Sequence, residues 1–99
     1  MEYKIEKKDG KVEVAVSGRI DNNTTPQLEE AVTPEIDGVD ELVFDFRDLQ
    51  YISSAGLRLL LMIQKKMNAN GKKFVITNVN DFVMEVFEIT KFKDILTIV

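Results

Sequence analysis

Residues 41–77 read ELVFDFRDLQYISSAGLRLLLMIQKKMNANGKKFVIT, and this stretch decides the fold. Glu41–Phe46 is nearly continuous apolar sequence, broken only by Asp45, the pattern of a strand covered on both faces. A short link, Arg47–Ser53, leads into a helix from about Ser54 to Asn68. Asn70-Gly71 ends that helix and turns into a further core strand, Lys73–Thr77. A strand–helix–strand unit of this kind is expected to be a right-handed crossover with parallel strands. Sites in such sheets lie at the carboxyl ends of strands, where strand feeds helix. The segment at that place is YISSAGLR, residues 51–58.

The flanks extend the alternation of strand and helix. Tyr3–Lys7 alternates weakly, Asp9-Gly10 reads as a tight hairpin turn, and Val12, Val14 and Val16 form one apolar strand face. Asp21–Thr25 is a polar loop. Thr25 is expected to cap the next helix with Pro26 at its first position, and Pro34 to end it near Thr33 or restart it as a short turn. Asn78 or Asn80 is expected to cap a helix with Phe82, Val83, Val86 and Phe87 on one face, and Ile95–Val99 to close the chain as a strand. The pattern predicts one α/β domain over residues 1–99, a mixed sheet of four to five strands with helices packed on it.

Composition narrows the chemistry. The 99 residues are 44% hydrophobic and 30% charged, the balance of an ordinary globular domain. A net charge of −4 argues against nucleic acid, and the lysine pairs Lys7–Lys8, Lys65–Lys66 and Lys72–Lys73 read as solvated faces. Cysteine and histidine are absent, which removes disulfides, thiolate zinc sites and a Ser-His-Asp triad. No apolar stretch approaches the roughly 18 residues of a membrane span, and the start MEYKIEKKDG carries no signal-peptide pattern. The expected setting is the cytoplasm, without membrane association.

Ser53 and Ser54 are delivered at a strand-to-helix junction, at the start of the longest expected helix. Free N–H groups and the helix dipole there tolerate negative charge. By itself the arrangement is a common serine cap. A serine nucleophile lacks a base, since Lys65 and Lys66 lie too far along the helix, and no Gly-rich phosphate loop is present. Along the helix, at about 100° per residue, Leu57, Leu60, Leu61, Ile63 and Met67 share the expected core face, with Leu59 at its border. Arg58, Lys65, Lys66 and an exposed Met62 fall opposite, while Gln64 is a polar residue on the core side.

VFDFRDLQYISSAGLRLLL (residues 43–61) resembles the signature of STAS-domain anti-sigma factor antagonists. SGRIDNNTTPQLEEAV resembles the same family's Gly-x-Leu/Ile-Asp segment and first helix, and VFEITKFKDILTIV its closing pattern. The resemblance thus runs through nearly the whole chain in order. It implies that Ser54 is a phosphoacceptor, with Ser53 as rival, and that Asp45 is the strand carboxylate. Together with the helix phase and the small Ala55 and Gly56, which are expected to leave room for approach, it gives an expected partner surface of Asp21, Asn22, Asn23, Thr24, Ser53, Ser54, Ala55, Gly56, Arg58 and Met62. Ser53 stands where many members carry Asp, and Ala55 where many carry a second hydroxyl.

The implied partners are an anti-sigma factor that is also a serine kinase, and a serine phosphatase. The chain itself would be a substrate of enzymes and not an enzyme, without cofactor or metal, and a monomer when free. The alternative on the same fold is a STAS subunit of a transport, lipid-trafficking or stressosome assembly without a phosphoswitch.

Overall fold

A computed structural model describes all of residues 1–99. Strands β1 (Glu2–Lys8) and β2 (Lys11–Ile20) form an antiparallel hairpin, followed by helix α1 (Thr25–Ile36). Strands β3 (Glu41–Asp45) and β4 (Leu49–Ile52), helix α2 (Ser54–Ala69), strand β5 (Lys73–Thr77) and helix α3 (Asp81–Ile89) complete the order. The sheet runs β1-β2-β3-β5, with β3 parallel to both β2 and β5. The crossover expected between β3 and β5 is therefore present.

The hairpin forms because Asp9 and Gly10 both take positive φ, 49° and 80°, at the turn. Alternation along β2 then puts Val12, Val14 and Val16 on the face shared with Leu42, Phe44, Phe74 and Ile76. Phe44 meets Phe74 edge to face, with ring centroids 5.1 Å apart. All three helices bury residues in this one cluster, among them Leu28, Val32, Leu60, Ile63, Val83 and Phe87. Val43 points to the other face, where it is buried but stands outside the cluster. The covering of β3 by packed core is accordingly one-sided, not two-sided as its run of apolar residues predicts.

Several boundaries differ from the sequence reading. The supposed link 47–53 contains β4, which pairs in parallel with the end of β2: Gly18↔Leu49, Arg19↔Tyr51 and Ile20↔Ile52. Strand β2 is long enough to hold β3 along its first half and β4 along its second. Within the β4 ladder the register shifts between Gly18, whose φ is +85°, and Arg19, so that Gln50 has no partner on β2. Helix α1 continues through Pro34, because Val32 and Ile36 are buried on either side of it and hold the last turn. Thr24, not Thr25, is its N-cap residue and makes no side-chain cap bond, whereas Thr25 is buried and donates to the Asp21 carbonyl at 2.7 Å. Asn80, not Asn78, caps α3, accepting from Val83 N–H at 2.9 Å.

The closing strand reduces to a single parallel bridge, Ile76↔Ile98, after a 3-10 turn at Phe92–Asp94. Gln64 accounts for how that terminus is held. Its buried side chain donates to Asn68 Oδ1 at 3.0 Å and accepts from Thr97 N–H at 3.4 Å. On α3, Phe82 is 55% exposed instead of joining the buried face with Val83 and Phe87. Phe82 lies in the first turn of the helix, one turn before Val86.

Candidate functional site

The carboxyl ends of β2 and β4 lie side by side, and each runs directly into a segment that carries expected partner residues. The ladder extends one step past β4, where Ser53 N–H donates to the Ile20 carbonyl at 2.8 Å. That bond ties the Asp21–Thr25 loop to the serine pair. The two segments that carry the expected partner residues are thus brought to one place.

Asp21 organises its own loop. Its Oδ1 accepts from the N–H groups of Asn23 (2.9 Å) and Thr24 (3.0 Å), and its own N–H donates to Thr24 Oγ1 at 2.8 Å. This closed turn leaves Asn22 and Asn23 exposed at the tip. The backbone N–H groups of Thr24 and Asn23 hold the Asp21 carboxyl below its ordinary pKa of 3.8, with smaller help from the Thr24 hydroxyl and the Arg19 charge against partial desolvation. A carboxyl depressed in the folded state stabilises the fold above the unfolded pKa, and that contribution disappears as pH falls through the folded value. Asp21→Asn keeps an accepting oxygen but cannot titrate. Denaturant unfolding between pH 7 and pH 3 should show the wild-type chain losing more stability below pH 3.8 than the variant. Parallel curves would remove the turn from any acid sensitivity of the domain.

The two serines have different tasks. Ser53 is half-buried, in extended geometry, and its hydroxyl accepts from Gly56 N–H at 3.4 Å as the cap of α2. Ser54 is the first residue of the helix and is exposed. Asp45, half-buried, lies at the end of β3, where its Oδ1 accepts from Arg47 N–H (2.9 Å) and Asn78 Nδ2 (3.0 Å). It braces the neighbouring loop and stands apart from the serines.

Gly56 faces inward and does not leave room for a partner. A Cβ there would lie 2.7 Å from both Ile20 Cγ2 and Ile52 Cγ1. Close approach at Gly56 seats the first turn of α2 on the ends of β2 and β4. The buried arc is Gly56, Leu57, Leu59, Leu60, Ile63, Gln64 and Met67, rotated toward Leu59 and away from Leu61 relative to the expected phase. Met62 is correspondingly not a free surface residue: it is half-buried and packs against the core.

Leu61, expected in the core, is half-buried and lies seven residues after Ser54, so it falls on the same stripe as Ser54, Arg58 and Lys65. Sequence reasoning missed it, although the spacing i, i+4, i+7, i+11 from Ser54 contained the signal. Ala55 is half-buried and Arg58 exposed.

The class of this mixed sheet, with the Asp21 loop and the serine pair at adjacent strand ends, follows from its sequence: residues 2–99 match the STAS domain family model. The chain belongs to the STAS-domain family. It is similar to the anti-sigma-B factor antagonist of Staphylococcus aureus (strain NCTC 8325 / PS 47), with 38% identity covering 85% of this chain and 79% of that protein. A solved anti-sigma factor antagonist from Mycobacterium paratuberculosis is 26% identical, covering 98% of this chain and 83% of that one, with a TM-score of 0.88. SpoIIAA, an anti-sigma factor antagonist solved in its unphosphorylated form, shares the fold at 18% identity, covering 99% of this chain and 88% of that one, with a TM-score of 0.85. The Bacillus SpoIIAA structure in the phosphorylated form matches with a TM-score of 0.78 at 17% identity, covering 99% and 91%.

Proposed function

We propose that this chain is an anti-sigma factor antagonist switched by phosphorylation of Ser54. The observation that carries the reading is the division of labour at the junction: Ser53 is engaged as the helix cap while Ser54 stands exposed beside it. The names of the relatives support the regulatory role, and the two solved forms of SpoIIAA support a phosphate-bearing state on this fold. Unphosphorylated, the chain binds a cytoplasmic anti-sigma factor that is itself a serine kinase, and the sigma factor is released. The γ-phosphoryl group of ATP then passes to Ser54 Oγ, the hydroxyl proton and ADP depart, and the partner lets go. A serine phosphatase hydrolyses the ester and restores the hydroxyl. The contact surface comprises the Asp21–Thr24 loop, Ser53, Ser54, Ala55, Arg58 and Leu61, with Met62 at its margin.

A phosphate at this helix start adds about −1.5 to −2 charges, which the dipole tolerates, so release comes from the interface and not from unfolding. A hundredfold loss of affinity needs only about 2.8 kcal/mol. Incubation with the partner kinase and ATP, followed by peptide mass spectrometry, should place the phosphate on Ser54; phosphate on Ser53 alone would overturn the assignment. Ser54→Asp should weaken partner binding about tenfold or more in calorimetric titration, with thermal stability nearly unchanged. Full affinity in that variant, together with no phosphate incorporation, would favour a STAS interaction subunit without a switch.

A further inference from the structure

Strand β1 is the open edge of the sheet. It pairs with β2 alone, whereas β5 at the other edge is met by the chain terminus through the Ile76↔Ile98 bridge. All of β1 is exposed except Ile5, which is half-buried. Its register with β2 is unbroken from Glu2↔Ser17 to Lys8↔Lys11, and it carries no proline, glycine or bulge to spoil the edge. The Asp9-Gly10 turn decides which backbone groups of β1 are free. Positive φ at both turn residues marks a two-residue type I′ turn, which makes the closing pair Lys8↔Lys11 a hydrogen-bonded one. Alternation then directs the backbone groups of Glu6, Lys4 and Glu2 at β2. The N–H and C=O groups of Tyr3, Ile5 and Lys7 point outward, away from the sheet.

We propose that β1 pairs antiparallel with β1 of a second copy of this chain, about a two-fold axis at Ile5. In that register the outward-facing residues meet one another, Ile5 opposite Ile5 and Tyr3 opposite Lys7, and their backbone groups hydrogen-bond in pairs. On the open face of the sheet, Glu2 falls opposite Lys8 and Lys4 opposite Glu6, so every charge there meets its opposite across the axis. Slippage by two residues, the smallest step that keeps the outward groups together, destroys this match. One direction sets Lys4 against Lys4 and Glu2 against Glu6; the other sets Glu6 against Glu6 and Lys4 against Lys8. Lysine on an edge strand ordinarily repels a second strand, but in this register Lys4 and Lys8 each face a carboxylate. Within one copy Lys4 and Glu6 lie 3.3 Å apart, an exposed pair worth little that can re-form across the axis. Lys7, on the helix side, is held by Glu35 at 2.7 Å. The interface is self-complementary and closes on two copies. A seven-residue edge is small, so the dimer depends on concentration, in contrast to the free monomer expected from the sequence. The two β2 strands run in opposite directions, which puts the Asp21 loops and serine pairs at opposite ends of the joined sheet and leaves both open. The pairing stands on the edge geometry and is independent of the role of Ser54.

Sedimentation equilibrium of the full chain provides the test. The mass should rise from 11.3 kDa toward twice that value between micromolar and millimolar concentration. Over the same range the Ile5 amide should gain protection from hydrogen exchange, because its N–H is one that the second copy takes up. Lys4→Glu and Glu6→Lys each set like charges opposite one another at both symmetry-related places, so each should weaken self-association about tenfold or more. An equimolar mixture of the two variants should associate as tightly as the parent, since every lost pair is restored across the mixed dimer. Urea unfolding of each variant at low concentration separates loss of pairing from loss of fold. A parent chain that stays at 11.3 kDa throughout overturns the proposal. Association that neither reversal weakens, or that mixing fails to restore, overturns it as well, because another surface would then hold the copies.

Discussion

Leu60→Ala is expected to destabilise the domain by roughly 2–5 kcal/mol. Leu60 is fully buried in the core cluster between the sheet and the neighbouring helix surfaces. Truncation loses the transfer energy of the removed carbons and leaves a cavity that a sheet on one side and helices on the other cannot readily close. Its neighbours calibrate the result. Met62→Ala removes a half-buried side chain that touches the core, so a loss of about 1 kcal/mol is expected. Leu61→Ala should cost less than Met62→Ala in stability, yet weaken partner binding by about 1 kcal/mol or more, because Leu61 shares the outward stripe with Ser54 and Arg58. Urea unfolding and partner titration on all three variants decide the matter. If Leu61→Ala destabilised the fold as much as Leu60→Ala, the stripe assigned to the interface would belong to the core.

Gly56→Ala is expected to lower stability by about 1–3 kcal/mol, although the substitution favours a helix in isolation. Alanine is better than glycine inside a helix by about 1 kcal/mol, and that gain opposes the effect. The added methyl, however, would meet Ile20 Cγ2 and Ile52 Cγ1 at 2.7 Å and Ile52 Cδ1 at 3.2 Å. Both isoleucines are branched and buried at strand ends, so neither can swing clear, and the first turn of α2 must lift instead. Lifting that turn shifts Ser53 and Ser54 relative to the Asp21 loop. The variant should therefore lose partner affinity beyond what its unfolded fraction explains. Thermal unfolding with parallel binding measurements tests this, and a variant more stable than the parent would falsify the close-packing account of Gly56.

Local patterns in the sequence were sufficient for the alternating valines of β2, the Asp9-Gly10 turn, the strands β3 and β5 and the helix between them. In each case the signal lies in a few adjacent residues: a period of two, a positive-φ turn, or a glycine after an apolar helix. The candidate site was legible as the link between an apolar strand and a long helix, although β4, the strand that enters it, was not.

Only the tertiary structure decided what depends on distant neighbours. Leu49–Ile52 has four residues and a polar one among them, so its strand identity comes from the second half of β2 beside it. Pro34 sits inside a helix because Ile36 has a core to enter. Gln64 is buried because Thr97, 33 residues later, supplies an N–H for its oxygen. The phase of α2 was set by how closely Gly56 approaches Ile20 and Ile52, a contact that no periodicity records. Helical spacing orders side chains around an axis, but the side that faces inward is chosen by the surface on which the helix lands. That choice set Met62 against the core and left Leu61 on the stripe of Ser54 and Arg58.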